Sequence, residues 1–224
     1  MSTQISYAVQ DYLKTLHHLG GVAELVSPAE IAARLNVRAP SVTGMLKRLA
    51  EAGLIEYEPG KGARLSVEGV KEARRVIRRH RLVEVFLHRV LKIDWSEIDA
   101  EAEALEHAIS PRLEKAIADY LGEPLEDPHG HPIPKPDGDL AQRQLKPLCA
   151  FAPGQRILVR EVTDEQPDRL RRWQELGLMP GVVVELRSHQ PLDDVYEFAV
   201  GERTIRIGQE GLQGVFGEEQ LSGV

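Results

Sequence analysis

Apolar residues recur at helical spacing from the start of the chain. Ile5, Val9, Tyr12, Leu13, Leu16 and Leu19 fall on one stripe and predict a helix over 4–19, closed by Gly20-Gly21. Ser27 reads as an N-cap, with Pro28 at the first helical position and Glu30 three residues on, so a short helix is expected over 28–35. The turn Asn36-Val37-Arg38 leads into a second helix from Pro40 to Ala52. Its buried stripe is Val42, Met45, Leu46 and Leu49, and Gly53 stops it. Two short helices across a tight turn make a helix-turn-helix. The following run, LIEYEPGKGARLSV, reads as strand, turn and strand, the pattern of a β-wing. A helical hairpin and a β-hairpin used only for packing share these local patterns, but their order favours a DNA-binding winged helix.

Further on, a long helix is expected over 67–92 and another over 95–121. The first carries Arg74, Arg75, Arg78, Arg79 and Arg81 close together, either as a phosphate-facing surface or as a solvated face. On the second, Ile98, Ala102, Leu105 and Ile109 mark the buried side. The segment EDPHGHPIPKPDGD is too rich in proline and glycine for regular structure and reads as a connection within 124–147. From Gly154 onward RILVREV, VVVELRS, VYEFAV and RTIRI alternate with turns around one short helix at 167–176, which suits a small β-barrel. The expected fold class is therefore mainly α with a β C-terminal part. A winged helix-turn-helix would occupy 1–72, a helical domain with its Pro-rich connection 73–145, and a small SH3-like barrel 150–224.

Charge refines this picture. The 224-residue chain has a formal net charge of −7, which on its face argues against a nucleic-acid partner. Residues 1–92, however, hold 15 Lys/Arg against 9 Asp/Glu, and residues 93–224 hold 13 against 26. A basic N-terminal part on an acidic body fits a local phosphate-binding face. A single cysteine, Cys149, excludes an intrachain disulfide framework. No apolar run is long enough to span a bilayer and no signal pattern opens the chain, so a cytoplasmic protein without membrane association is expected.

One group of residues carries chemistry. Asp99, Glu103, Glu106 and His107 run along the 95–121 segment one residue away from its apolar stripe. Carboxylates stacked at such spacing repel one another unless a cation is present. His80 and Glu84 form another pair at i, i+4, and Asp11 sits near the middle of the first helix. Spacing alone leaves two readings open, a divalent-ion site or ordinary exposed acids. His129 and His131 stand close together but in the Pro-rich connection, and the bland reading is preferred for them. His17, His18, His88 and His189 have no convincing partners, and Cys149 reads as buried. No Gly-rich phosphate loop, nucleophile elbow or catalytic triad is present, so no enzymatic activity is expected.

With DYLKTL, APSVTGMLKRLAEAGLI, RRHRLVEVFL, EAEALEHAIS and DPHGHPIP in this order, the chain resembles the diphtheria toxin repressor family, the iron- and manganese-dependent regulators of bacteria. The segment RRWQELGLMPG is similar to the small barrel of longer family members and of ferrous-iron transport accessory proteins, a FeoA-like domain. The resemblance implies a homodimeric repressor of metal-homeostasis genes that binds operator DNA, of palindromic form, with residues 95–121 building much of the dimer interface. It places Asp11, Glu103, Glu106 and His107 at a primary, activating metal site. His80, Glu84 and Asp99 fall at an ancillary site, with Glu161 and Asp164 as the barrel's candidates for added ligands. Iron-responsive members carry Met and Cys where this chain has Asp11 and Glu103, and hard oxygen in place of sulfur points to manganese, with iron(II) as the alternative. Lys14 departs from the pattern: two-domain manganese regulators have a second Glu ligand there.

In this reading Arg38, Pro40, Ser41 and Thr43 lie near base edges, while Lys47, Arg48, Lys61 and Arg64 contact phosphates. Competing readings are a winged-helix regulator with a non-metal effector, which leaves the acidic stripe unexplained, and a metal-transport accessory protein, which leaves the wing without a purpose.

Overall fold

The computed structural model describes residues 6–163 and 166–220, and its contacts divide the chain into two compact units. The first comprises 1–80, 106–109 and 134–140; the second comprises 81–105, 110–133 and 141–224.

In the first unit α1 (Tyr7–His18), α2 (Pro28–Arg34) and α3 (Ala39–Glu51) precede β1 (Ile55–Glu58) and β2 (Gly62–Leu65). The capping box at α2 forms as expected, with Ser27 and Glu30 each holding the other's backbone N–H. The wing strands pair antiparallel, Ile55 opposite Leu65 and Glu58 opposite Gly62. Gly62 is required there because a side chain would place its Cβ 2.5 Å from the Val26 carbonyl oxygen, against which the wing's second strand is seated. Leu13, Leu16, Ile31, Val42, Leu46, Leu49, Ile55 and Leu65 form the core, so the helical stripes and the wing's alternate positions meet in one cluster.

The helix α4 (Val67–Arg89) is basic; Arg75 is exposed and pairs with Glu72 on the surface, but three other arginines are turned toward the Pro-rich connection. In the first unit Arg74 donates to the Gly138 carbonyl and Arg78, itself buried, to the Pro134 carbonyl. In the second unit Arg81 donates to the Pro132 carbonyl. Pro132, Pro134 and Pro136 have no N–H to donate within the connection, and guanidinium groups of α4 supply donors to three of its carbonyls.

The single helix expected over 95–121 is two helices, α5 (Ile98–Leu105) and α6 (Pro111–Leu121). Ser110 caps α6 by accepting from the Leu113 N–H, and Pro111 occupies its first turn. A residue before proline is driven out of the helical region, so Ser110-Pro111 must end one helix and start another. The break also displaces the apolar stripe: Ile98, Ala102 and Ile109 are buried, but Leu105 is 41% exposed.

The second unit also holds the barrel. Its sheet has the order β3-β8-β4-β5-β6-β7, from β3 (Lys146–Pro147), β4 (Arg156–Val162), β5 (Val183–Gln190), β6 (Val195–Val200), β7 (Arg203–Gly208) and β8 (Val215–Glu219). Helix α7 (Pro167–Leu176) buries Leu170, Trp173 and Leu176 in the same core as Val159, Leu186 and Phe198, and a short helix α8 (Gln209–Leu212) precedes β8. Strands β3 and β8 were not legible, β3 being two residues long and β8 interrupted by Gly217. Trp95 is part of this barrel core at 1% exposure, and its indole N–H donates to Gln174 at 2.9 Å. The barrel is thus packed around a residue from well before its first strand.

Candidate metal centre and nucleic-acid interface

The middle of α1 and the turn after α5 carry the principal cluster, and it lies within the first unit. Asp11, Glu106 and His107 each offer a ligand atom, and these atoms lie within 4.8 Å of one another. His107 Nε2 is 2.7 Å from Asp11 Oδ1 and 3.5 Å from Glu106 Oε1. Its other nitrogen, Nδ1, is 2.7 Å from the Gln10 side-chain oxygen, which can only accept. That contact fixes the proton on Nδ1 and leaves the Nε2 lone pair directed at the carboxylates, the tautomer a metal ligand needs. Tyr7 stacks on the imidazole at 4.9 Å between centroids and 15° between planes. Neither Gln10 nor Tyr7 was singled out from sequence. Both sit one helical turn or less from Asp11, and only the position of His107 reveals their use.

Glu106 is fully buried, with Lys14 Nζ 2.7 Å from one oxygen and His80 Nδ1 2.7 Å from the other. Burial pushes its carboxyl up, but the His80 hydrogen bond and the Lys14 ammonium outweigh burial and hold it below the ordinary carboxylate range. Each carboxylate oxygen has a second lone pair, so these contacts do not exhaust its capacity as a ligand. Two carboxylates and one correctly protonated imidazole fit a hard or borderline divalent ion. Glu103 is exposed on α5, three residues ahead of Glu106.

The remaining expected ligands are distributed as follows. His80 and Glu84 are one turn apart on α4, and Glu84 and Asp99 of the second unit bring ligand atoms within 4.8 Å of each other. Glu161, on β4, faces His131 Nε2 at 3.7 Å. Asp164 lies outside the described residues. The second unit contains a further group that sequence reading set aside, Asp127, His129 and His131, again with ligand atoms within 4.8 Å. The alternating Asp-x-His-x-His spacing was its signal.

On the DNA-binding side Arg38, Pro40 and Ser41 are exposed at the start of α3, where the first turn leaves backbone N–H groups unbonded. Thr43 is half-buried, its hydroxyl 3.4 Å from the Ala39 carbonyl. Lys47 and Arg48 are exposed further along the helix. In the wing Lys61 pairs with Glu58 at 2.7 Å and Arg64 with Glu56 at 2.6 Å, all well exposed.

Comparison with known proteins matches these regions one by one. Residues 4–63 match the iron dependent repressor N-terminal DNA binding domain, and residues 66–135 the iron dependent repressor metal binding and dimerisation domain. Residues 146–219 match the FeoA domain. An HTH-type transcriptional regulator of Methanocaldococcus jannaschii is 31% identical over 110 residues, covering 49% of this chain and 88% of the relative. The chain belongs to the diphtheria toxin repressor family.

Members of the diphtheria toxin repressor family are metal-dependent transcriptional repressors and not enzymes. The transcriptional regulator MntR of Escherichia coli is 39% identical over 102 residues, 46% of this chain and 65% of the relative. Iron-dependent repressor IdeR of Mycobacterium leprae is 28% identical over 89% of this chain and 91% of its own length. A solved manganese-dependent transcriptional repressor, in complex with manganese, superimposes with a TM-score of 0.87 at 30% identity, over 95% of this chain and all of the other. Among the described residues no helix is long and apolar enough to cross a membrane.

Proposed function

We propose that this chain is a manganese-responsive repressor of metal-homeostasis genes, a cytoplasmic homodimer that binds palindromic operator DNA when a divalent ion is held by Asp11, Glu103, Glu106 and His107. The observation that carries the reading is the convergence of Asp11, Glu106 and His107 from α1 and the turn after α5, with Nε2 of His107 turned toward the carboxylates. An ion bound there supplies positive charge that joins carboxylates otherwise repelling one another. Gln10 and Tyr7 orient the imidazole, and Lys14 neutralises one charge of the set. That built-in cation argues for one ion in this cluster where a second glutamate would favour a closely spaced pair.

Three oxygen-donating carboxylates and one nitrogen suit manganese, which cannot win on intrinsic affinity against later transition metals. His80, Glu84 and Asp99 are assigned to the ancillary site. In the reading head, the start of α3 enters the major groove with Arg38, Ser41 and Thr43 near base edges and Pro40 at the helix entry. Lys47, Arg48, Lys61 and Arg64 contact phosphates, so that Lys61 and Arg64 exchange their Glu partners for DNA. Metal and operator must strengthen each other's binding by the same factor.

The test is an operator mobility shift against buffered free manganese. Binding should rise with manganese; activation by zinc or copper alone at buffered levels would refute the ligand assignment. The similarity to IdeR supports iron(II) as the second reading, and the same titration under anaerobic iron(II) separates the two.

A further inference from the structure

Helix α3 carries at its centre a glycine that the fold does not require. Gly44 lies in the interior of a 13-residue helix, where glycine weakens the helix relative to alanine by its backbone freedom in the unfolded chain. Nothing inside the protein offsets that loss. A Cβ on Gly44 would meet no side chain and no other segment of the chain within 4 Å, and its φ is not left-handed. The other described glycines of the first unit each have a cause in the fold, either a left-handed φ or a carbonyl oxygen where the Cβ would go. On Gly69, for instance, a Cβ would collide with the Leu54 carbonyl oxygen.

We propose that Gly44 is a contact residue for operator DNA: the α3 backbone at this position is seated against base edges in the major groove, and the missing side chain sets how deeply the helix enters. The inference rests on α3 being the reading head and adds to that reading the residue that fixes its depth.

Val42, Leu46 and Leu49 bury the opposite side of the helix. Pro40 and Ser41 stand one turn before Gly44 and Lys47 and Arg48 one turn after it, and all five are exposed. Gly44 is therefore the middle of the outward face. Charge around it is one-sided. Arg38, Lys47 and Arg48 form no ion pair among the described residues, whereas Lys61, Arg64, Lys71 and Arg75 of the same unit each hold a glutamate. A helix with its side chains is about 10–12 Å across and the major groove about 12 Å wide, so a position without a side chain on the leading face decides how near the axis comes to the bases. Glycine permits that approach because no Cβ stands between its backbone and the ligand. Depth in turn sets the reach of Lys47 and Arg48 toward phosphates on the groove walls.

The test uses full-length, manganese-loaded protein and a synthetic duplex that wild type selects from a random-sequence pool, with an unrelated duplex of equal length as reference. Gly44→Ala should raise the thermal unfolding midpoint, because alanine is the better helix former, and yet weaken the selected duplex by about tenfold or more. Gly44→Leu, also a good helix former, should weaken it further. Binding to the unrelated duplex, which rests on phosphates, should change less than about threefold. In a double-mutant cycle the cost of Lys47→Ala should shrink once Gly44 is alanine, because the lifted helix no longer brings Lys47 to its phosphate. Affinity of Gly44→Ala for the selected duplex equal to or above wild type would overturn the proposal. So would an equal loss on both duplexes, or a loss accompanied by a lower unfolding midpoint, which would make Gly44 a structural residue. Lys47→Ala separates this from failure of the underlying reading. If it weakens the selected duplex while Gly44→Ala does not, α3 remains the reading head and the role of Gly44 alone falls; if neither variant weakens it, both fall.

Discussion

The two histidine–carboxylate clusters differ in how the chain assembles them. Asp127, His129 and His131 lie within five residues, and one carboxylate folds their backbone into place through two N–H bonds. Asp11, Glu106 and His107 come from positions more than 90 residues apart, and their geometry depends on the packing of α1 against the turn after α5. A locally folded cluster takes its geometry from neighbours in sequence. One spanning distant segments can be pulled apart and re-formed, as a sensor requires. The lysine inside the second kind marks the same difference: Lys14 keeps the buried Glu106 charge compensated before metal arrives.

Breaking that compensation should have the largest effect on the metal-free protein. Lys14→Met leaves the buried Glu106 carboxylate with the His80 and His107 imidazoles and no ammonium, and should cost about 3 kcal/mol of stability in apo protein, since removing one member of a buried pair strands the other. Manganese should recover most of it, measured by thermal unfolding with and without the ion. A loss that manganese does not reduce would mean Lys14 acts only as a packing residue. Gly130→Ala strikes the local cluster through its backbone. A left-handed φ and a contact with the Arg160 carbonyl should together cost about 2 kcal/mol, read as a lower denaturation midpoint of the second unit.

The acid response sharpens the comparison. Burial pushes the Asp127 carboxyl up, but His131 beside it, then Arg81 and His129, hold it well below the usual range. A group whose folded pKa is depressed gives stability that is present above its unfolded pKa, about 4, and lost as pH falls through the folded value. Metal-free protein should therefore lose stability below about pH 4, and Asp127→Asn should flatten that slope while lowering stability at neutral pH. An unchanged slope would separate Asp127 from the acid transition. The smallest effect belongs to the wing: Lys61→Ala should weaken all operator sequences alike and reduce the salt slope of binding by about 1.

The winged helix was legible because each of its signals is local. The Ser27–Glu30 capping box, the stripe Val42, Leu46, Leu49 and the Pro-Gly-Lys-Gly turn each report on neighbours in sequence. The helix break at Ser110-Pro111 was equally local and was overridden by an apolar period that continues across it. Convergence of Asp11 with His107 was not legible from spacing; resemblance to the family supplied it. Asp127, His129 and His131 were visible as a pattern but were discounted because a Pro-rich segment reads as solvated. The guanidinium groups of α4 bond to the carbonyls of that segment, which is why much of it is buried. Trp95, likewise, gave no sign that it belongs to the barrel core, so removing residues 150–224 would expose it and would not be the clean excision that a Pro-rich boundary suggests.

The central claim is that the cluster on α1 and the turn after α5 couples metal to operator. Its most direct measurement is operator affinity of full-length wild type and Asp11→Asn across a range of buffered free manganese, with dimerisation checked by sedimentation. Wild type should tighten by about a hundredfold between metal-free and saturating conditions. Asp11→Asn should remain a folded dimer at the metal-free affinity throughout. A manganese response in Asp11→Asn that overlays the wild-type curve would contradict the account.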